Sequence, residues 1–89
     1  MPSANVEIIN RLGLHARAAA KFVQTAAGRA AEITVSKGDK KVNGKSIMGL
    51  MMLAAAQGAV LTIATVGDGA DAALQALIDL IADRFGEPE

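Results

Sequence analysis

Residues 5–23 read NVEIINRLGLHARAAAKFV, and inside this stretch the chain changes its period. Asn5 to Ile9 alternates, with Val6 and Ile8 to one side and Glu7 to the other, which predicts a half-buried strand. Asn10 to Leu14 then forms a loop. From about Ala16 to Ala27 the alanine-rich run predicts a helix that buries Ala19, Ala20, Val23 and Ala26, with Phe22 at the margin and Gly28 as a left-handed stop. The only histidine, His15, stands one residue ahead of that helix. No Ser, Thr, Asp or Asn immediately precedes the helix to cap it, so the first-turn amides, beginning with those of Ala16 and Arg17, lack partners. Open amides, the positive end of a helix dipole and the Arg17 guanidinium make this an anion site with an imidazole at its lip. A neutral imidazole nitrogen is a nucleophile toward phosphorus, and the same surroundings favour a charged phosphoryl product.

Outward from this unit, Glu32 to Ser36 alternates with Ile33 and Val35 inward. Lys37 to Lys40 reads as a hairpin turn, and Lys41 to Asn43 as a polar edge strand. Ser46 is a preferred N-cap, opening a second helix from Ile47 to about Ala56 that closes at Gly58. This helix is apolar nearly all round, so Met48, Leu50, Met51, Met52 and Leu53 are expected to be mostly core. Val60 to Val66, apolar on both faces, predicts an interior strand ending at Gly67. A third helix from about Ala70 to Phe85 carries Leu74, Leu77, Ile78, Ile81 and Phe85 at helical spacing, with Asp68 or Asp71 placed for its N-terminal dipole. The order βαββαβα over 89 residues, without repeat or linker, predicts one α+β domain spanning residues 1–89 with its helices on one face of a small sheet.

Two motifs carry a family resemblance. GLHARAA, residues 13–19, resembles the active-site motif of the histidine-containing phosphocarrier (HPr) proteins of the bacterial phosphotransferase system, with Ala18 where that family usually has proline. GKSIMGL, residues 44–50, resembles the regulatory-serine segment of the same family. The resemblance covers nearly the whole chain and implies an open-faced β-sandwich with a four-stranded antiparallel sheet. It further implies that His15 takes a phosphoryl group on Nδ1 from enzyme I, itself charged from phosphoenolpyruvate, and passes it to enzyme IIA proteins. Arg17 would clamp the phosphate, and a kinase/phosphorylase would act at Ser46 as a brake. Lys21, Ile47, Met48 and Met51 would belong to the docking surface. Proline suits a first helical turn through its preset φ, so Ala18 should cost rigidity and leave the chemistry intact.

Composition narrows the alternatives. There is no cysteine, hence no disulfide or thiolate metal site; no metal or cofactor is expected, and nothing in Met1 to Glu7 has the layout of a signal peptide, which predicts a cytoplasmic protein. Basic and acidic residues balance at nine each, and tryptophan and tyrosine are absent, which argues against nucleic-acid binding. The balance is uneven along the chain, because residues 1–45 hold eight basic and three acidic groups and residues 46–89 hold one and six. Arg17 and Lys21, four apart on one helix face, would steer an acidic partner toward His15. The uncharged span from Ser46 to Gly67 approaches the ~20 residues of a membrane helix. Gln57 and Gly58 interrupt it, however, and a helix followed by a strand fits better, so no membrane insertion is expected.

The reading that leads is therefore a monomeric phosphoryl carrier, not a stand-alone catalyst, since no second base, metal cluster or pocket signature accompanies His15. A nitrogen-type regulatory carrier would share the histidine chemistry. A small regulatory binding domain that is never phosphorylated is the alternative from another class. An acyl-carrier anchor at Ser46 fits poorly, because the residue lies between Lys45 and Ile47 in a half-strand chain, whereas acyl carriers are helical and usually read Asp-Ser-Leu.

Overall fold

A computed structural model describes residues 2–89. Four strands, β1 (Ser3–Glu7), β2 (Glu32–Lys37), β3 (Lys40–Asn43) and β4 (Val60–Val66), form one sheet in the order β1-β4-β2-β3. All of its pairings are antiparallel. The helices are α1 (Ala16–Ala27), α2 (Ile47–Met52) and α3 (Ala70–Ala82), followed by a single 3-10 turn, Arg84–Gly86.

The period-2 pattern explains the sheet. Leu61, Ile63 and Thr65 on β4 and Ile33 and Val35 on β2 turn their side chains inward, and Val35 sits opposite Ile63. The opposite face stays open, with Thr62 donating to Asn5 Oδ1 across strands at 2.8 Å and Val60 and Val66 exposed. β4 is therefore interior in strand order but buried on one face, and its second apolar set meets solvent. Over the inner face the core gathers Phe22 from α1, Leu50 from α2 and Leu77 and Ile81 from α3, together with Leu53 and Phe85, all essentially without exposure.

Several boundaries differ from those read off the sequence, each for a packing reason. β1 begins at Ser3 and ends at Glu7, because its partner β4 begins at Val60; beyond it Ile8 bonds Gly58 and Ala59 while Ile9 turns outward. In α1 the buried face is Ala18, Ala19, Phe22 and Ala26, leaving Ala20 and Val23 only half-buried. Phe22 takes the centre because full burial of one large apolar side chain contributes about 1.5–3 kcal/mol, more than an alanine offers. Gly28 ends α1 at φ −74°, so the stop is not left-handed. α2 stops at Met52, and the turn is closed by Ala54 at φ +51° well before Gly58. Only Leu50 of α2 is buried, so the helix is not mostly covered: Ile47, Met48, Met51 and Met52 face solvent. α3 ends at Ala82, and Arg84 and Phe85 both take left-handed φ (56° and 55°), turning the Phe85 ring back into the core.

Candidate functional site

The loop ahead of α1 is held from both sides. Asn10 is fully buried, and its Nδ2 donates to the Gly13 carbonyl at 2.8 Å while the Gly13 N–H bonds the Asn10 carbonyl at 3.2 Å. Leu14 is buried and its N–H donates to the Ala55 carbonyl at 2.8 Å. Gly13 adopts φ +69°, and a Cβ there would meet the Ala55 carbonyl oxygen at 2.6 Å, so glycine alone lets the loop lie this close to residues 54–56.

This docking delivers His15 as the N-cap residue of α1, in extended conformation with φ −79° and ψ 179° and with no side-chain bond to the helix. The first-turn N–H groups of Ala16, Arg17 and Ala18 lie beyond the reach of intrahelical pairing. At position 18 alanine supplies an N–H that proline would lack, and its side chain is fully buried. The Arg17 side chain is exposed and, among the described residues, pairs with no carboxylate.

The tail after α3 completes the surroundings. A groove of about 690 Å³ is lined by Arg11, His15 and Arg17 together with Glu87, Pro88 and Glu89. The Nε2 of His15 bonds the Glu87 carboxylate, and the Asn10 Nδ2 donates to the other Glu87 oxygen at 2.9 Å. The Arg11 N–H donates to the Glu89 carbonyl and its guanidinium to the Glu89 carboxylate, both at 2.9 Å. Burial by itself raises the Glu87 carboxyl. The hydrogen bonds from His15 and Asn10 and the Coulombic pull of His15 and Lys21 more than offset it, leaving the group below the usual carboxylate range.

Ser46 caps α2, its Oγ accepting the Gly49 N–H at 3.0 Å. Lys21 does not extend into solvent: its Nζ donates to the Phe85 carbonyl at 2.6 Å and so braces the bend that leads to Glu87. Ile47, Met48 and Met51 are exposed, as are Met52 and Leu12. Among the described residues no cluster of His, Cys, Asp or Glu is arranged to hold a metal ion, and no helix is long and apolar enough to cross a membrane.

Sequence reasoning missed Asn10 and Glu87. Glu87 lies 72 positions from His15, so no local spacing joins them; the polar Asn10 between apolar Ile9 and the loop was the one visible sign.

The family model for the PTS HPr component phosphorylation site matches residues 2–83. The chain belongs to the HPr family. It is similar over its full length to the phosphocarrier protein HPr of Neisseria meningitidis serogroup A, at 56% identity over 89 residues and covering all of both chains. The crystal structure of HPr-C-His from Thermoanaerobacter tengcongensis superimposes with a TM-score of 0.96 at 49% identity, again covering the whole of both. The phosphocarrier protein NPr of Shewanella violacea is 45% identical over 82 residues, which is 92% of this chain and 90% of that protein. The four-stranded antiparallel open-faced sheet is thus the HPr fold, and HPr proteins carry a phosphoryl group without acting as stand-alone catalysts.

Proposed function

We propose that His15 accepts a phosphoryl group on Nδ1 from phosphorylated enzyme I, which draws it from phosphoenolpyruvate, and passes it to enzyme IIA proteins. The observation that carries this is the position of His15 at the uncapped opening of α1, with Nε2 engaged by Glu87 so that Nδ1 remains the nucleophilic nitrogen. The first-turn amides of Ala16 and Arg17 and the dipole of α1 stabilise the phosphoryl oxygens, and the Arg17 guanidinium clamps them bidentately. The carrier is a monomer in the cytoplasm that needs no cofactor and binds no nucleic acid.

Partners dock on exposed Ile47, Met48 and Met51 of α2, while on α1 exposed Arg17, and to a lesser degree Lys21 with its Nζ held by the Phe85 carbonyl, supply positive charge to acidic surfaces. Ser46 is a regulatory site for an HPr kinase/phosphorylase. A phosphate there adds about −1.5 to −2 charge at a helix opening, where it is tolerated locally, yet it repels an acidic partner. Ser46→Asp should accordingly weaken enzyme I docking with the fold retained. The relative from Shewanella violacea supports a second reading, a nitrogen-type carrier with the same chemistry and different acceptors.

Incubation with enzyme I and labelled phosphoenolpyruvate tests the central claim. Acid-labile label on His15, absent from His15→Ala, is the expected result. No label under conditions that charge another HPr would leave a regulatory binding domain instead. Transfer assays against each enzyme IIA of the source organism separate the sugar and nitrogen branches.

A further inference from the structure

The Glu87 carboxylate meets His15 only because the chain makes a costly detour. Arg84 and Phe85 are both held in left-handed backbone, the Phe85 ring is locked in the core, and Lys21 ties the Phe85 carbonyl at 2.6 Å. Asn10 then fixes the carboxylate. Its amide has one workable orientation, because Nδ2 faces two oxygens, that of Gly13 and Oε1 of Glu87. The consequence is that Asn10 Oδ1 is buried without a partner among the described residues. The amide orientation thus serves the Gly13 carbonyl and Glu87 through the same nitrogen.

We propose that Glu87, braced by Asn10, is a positioning residue that keeps the proton on Nε2 of His15 throughout phosphoryl transfer, so that the group joins and leaves Nδ1 with no proton lost. The inference rests on the reading of His15 as the phosphoryl acceptor. An ionised carboxylate only accepts hydrogen bonds, so in the neutral ring the hydrogen lies on Nε2 and the lone pair on Nδ1. As that lone pair attacks, the N–P bond forms and the bond from phosphorus to the donor's leaving atom breaks. The ring then bears a substituent on each nitrogen and a positive charge, which Glu87 faces directly. In the onward step the acceptor's nucleophile bonds to phosphorus and the N–P electron pair returns to Nδ1. A neutral ring departs, its Nε2 proton still in place. Without the carboxylate nothing opposite Nε2 favours the protonated ring, and whenever that proton is lost the group must leave from an imidazolate, a much poorer leaving group.

The other charged groups around the ring do not take over this task. Glu89 is engaged by Arg11 at 2.9 Å, Lys21 is spent on the Phe85 carbonyl, and Arg17 is a cation. The low proton affinity of Glu87 agrees with a carboxylate that stays ionised while it accepts from Nε2.

The test uses protein carrying ¹⁵N-histidine, as wild type, Glu87→Gln, Glu87→Ala and Glu87→Asp, each charged by enzyme I and phosphoenolpyruvate and checked by mass spectrometry for the added phosphoryl group. Long-range ¹⁵N–¹H spectra near pH 8 then read the Nε2 shift of phosphohistidine. Wild type should show a protonated Nε2. Both Glu87→Gln and Glu87→Ala should move toward the lone-pair value and pass the group on about tenfold more slowly, with partial recovery in Glu87→Asp. Folding is followed by amide spectra, because Glu87 also accepts from the buried Asn10 amide, and Glu87→Gln keeps an oxygen there. A wild type that never gains the group would sink the phosphocarrier reading itself. A wild type that gains it but shows a deprotonated Nε2, or variants that keep the proton equally well, would overturn the role of Glu87 alone.

Discussion

At the start of α1 the capping position is His15, whose side chain bonds none of the first-turn amides; at the start of α2 it is Ser46, whose Oγ accepts the Gly49 N–H at 3.0 Å. Neither helix has an acidic residue in its first turn. The difference lies in one side chain. Where the cap is a hydroxyl it takes up the Gly49 amide, and where it is an imidazole turned away toward Glu87 no side chain of the cap takes up a first-turn amide. One fold thus holds one helix opening whose cap side chain leaves the amides alone and another whose cap hydroxyl is already engaged.

The largest break in this contrast is expected at Arg17. Exchanging a bidentate guanidinium for a point charge in Arg17→Lys removes about 1.5–3 kcal/mol of charge-assisted hydrogen bonding, roughly 10–100-fold in transfer rate. Lys21→Ala, whose ammonium is committed to the Phe85 carbonyl, should slow transfer less. Rapid-quench transfer to an enzyme IIA measures both, and equal losses would refute the clamp.

At the second opening, Ser46→Ala leaves the Gly49 N–H without its acceptor and should destabilise the protein by about 1 kcal/mol, a fall of some 4–8 °C in Tm. Phosphoryl transfer by the unmodified protein should be nearly unchanged, so calorimetry and the transfer assay together separate structure from chemistry. The far end of α2 offers the reverse effect. Ala54 sits at φ +51°, where a Cβ is strained, and Ala54→Gly should raise stability by about 0.5–1 kcal/mol in urea titrations.

The smallest effect is one of pH. Because the folded-state pKa of Glu87 lies below the ordinary value of 4.5, its contribution to stability is present in full above that value and fades as pH falls through the lowered one. Denaturation of Glu87→Gln and wild type should therefore differ above about pH 4.5 and converge in stronger acid. Curves that stay parallel would show that the carboxylate contributes no pH-linked stability.

Much of this was legible in the chain. Alternation marked the strand Glu32 to Ser36, an apolar run bounded by Gly67 marked Val60 to Val66, and the alanine run fixed α1 at Ala16–Ala27, because such patterns are local properties that packing rarely overrules. Boundaries that depend on a partner were less visible. The end of β1 is set by where β4 begins, and the end of α2 by a left-handed alanine that carries no sequence signal. The apolar residues of α2 pointed to a covered helix, yet composition does not say which side the rest of the molecule will leave bare.

The sequence by itself determined the order of elements, the missing cap ahead of α1, the placing of His15 and Arg17 around it, and the hydroxyl cap of α2. These are matters of neighbours along the chain, where propensity, capping and dipole act within a turn. Only the tertiary structure decided that Phe22 would sit at the centre of the core, that Met48 and Met51 would face outward, and that Asn10 and Glu87 would meet at the Nε2 of His15. Such meetings join residues tens of positions apart, and what brings them together is the burial of Phe85 and the bend it forces, a consequence of packing the whole chain at once.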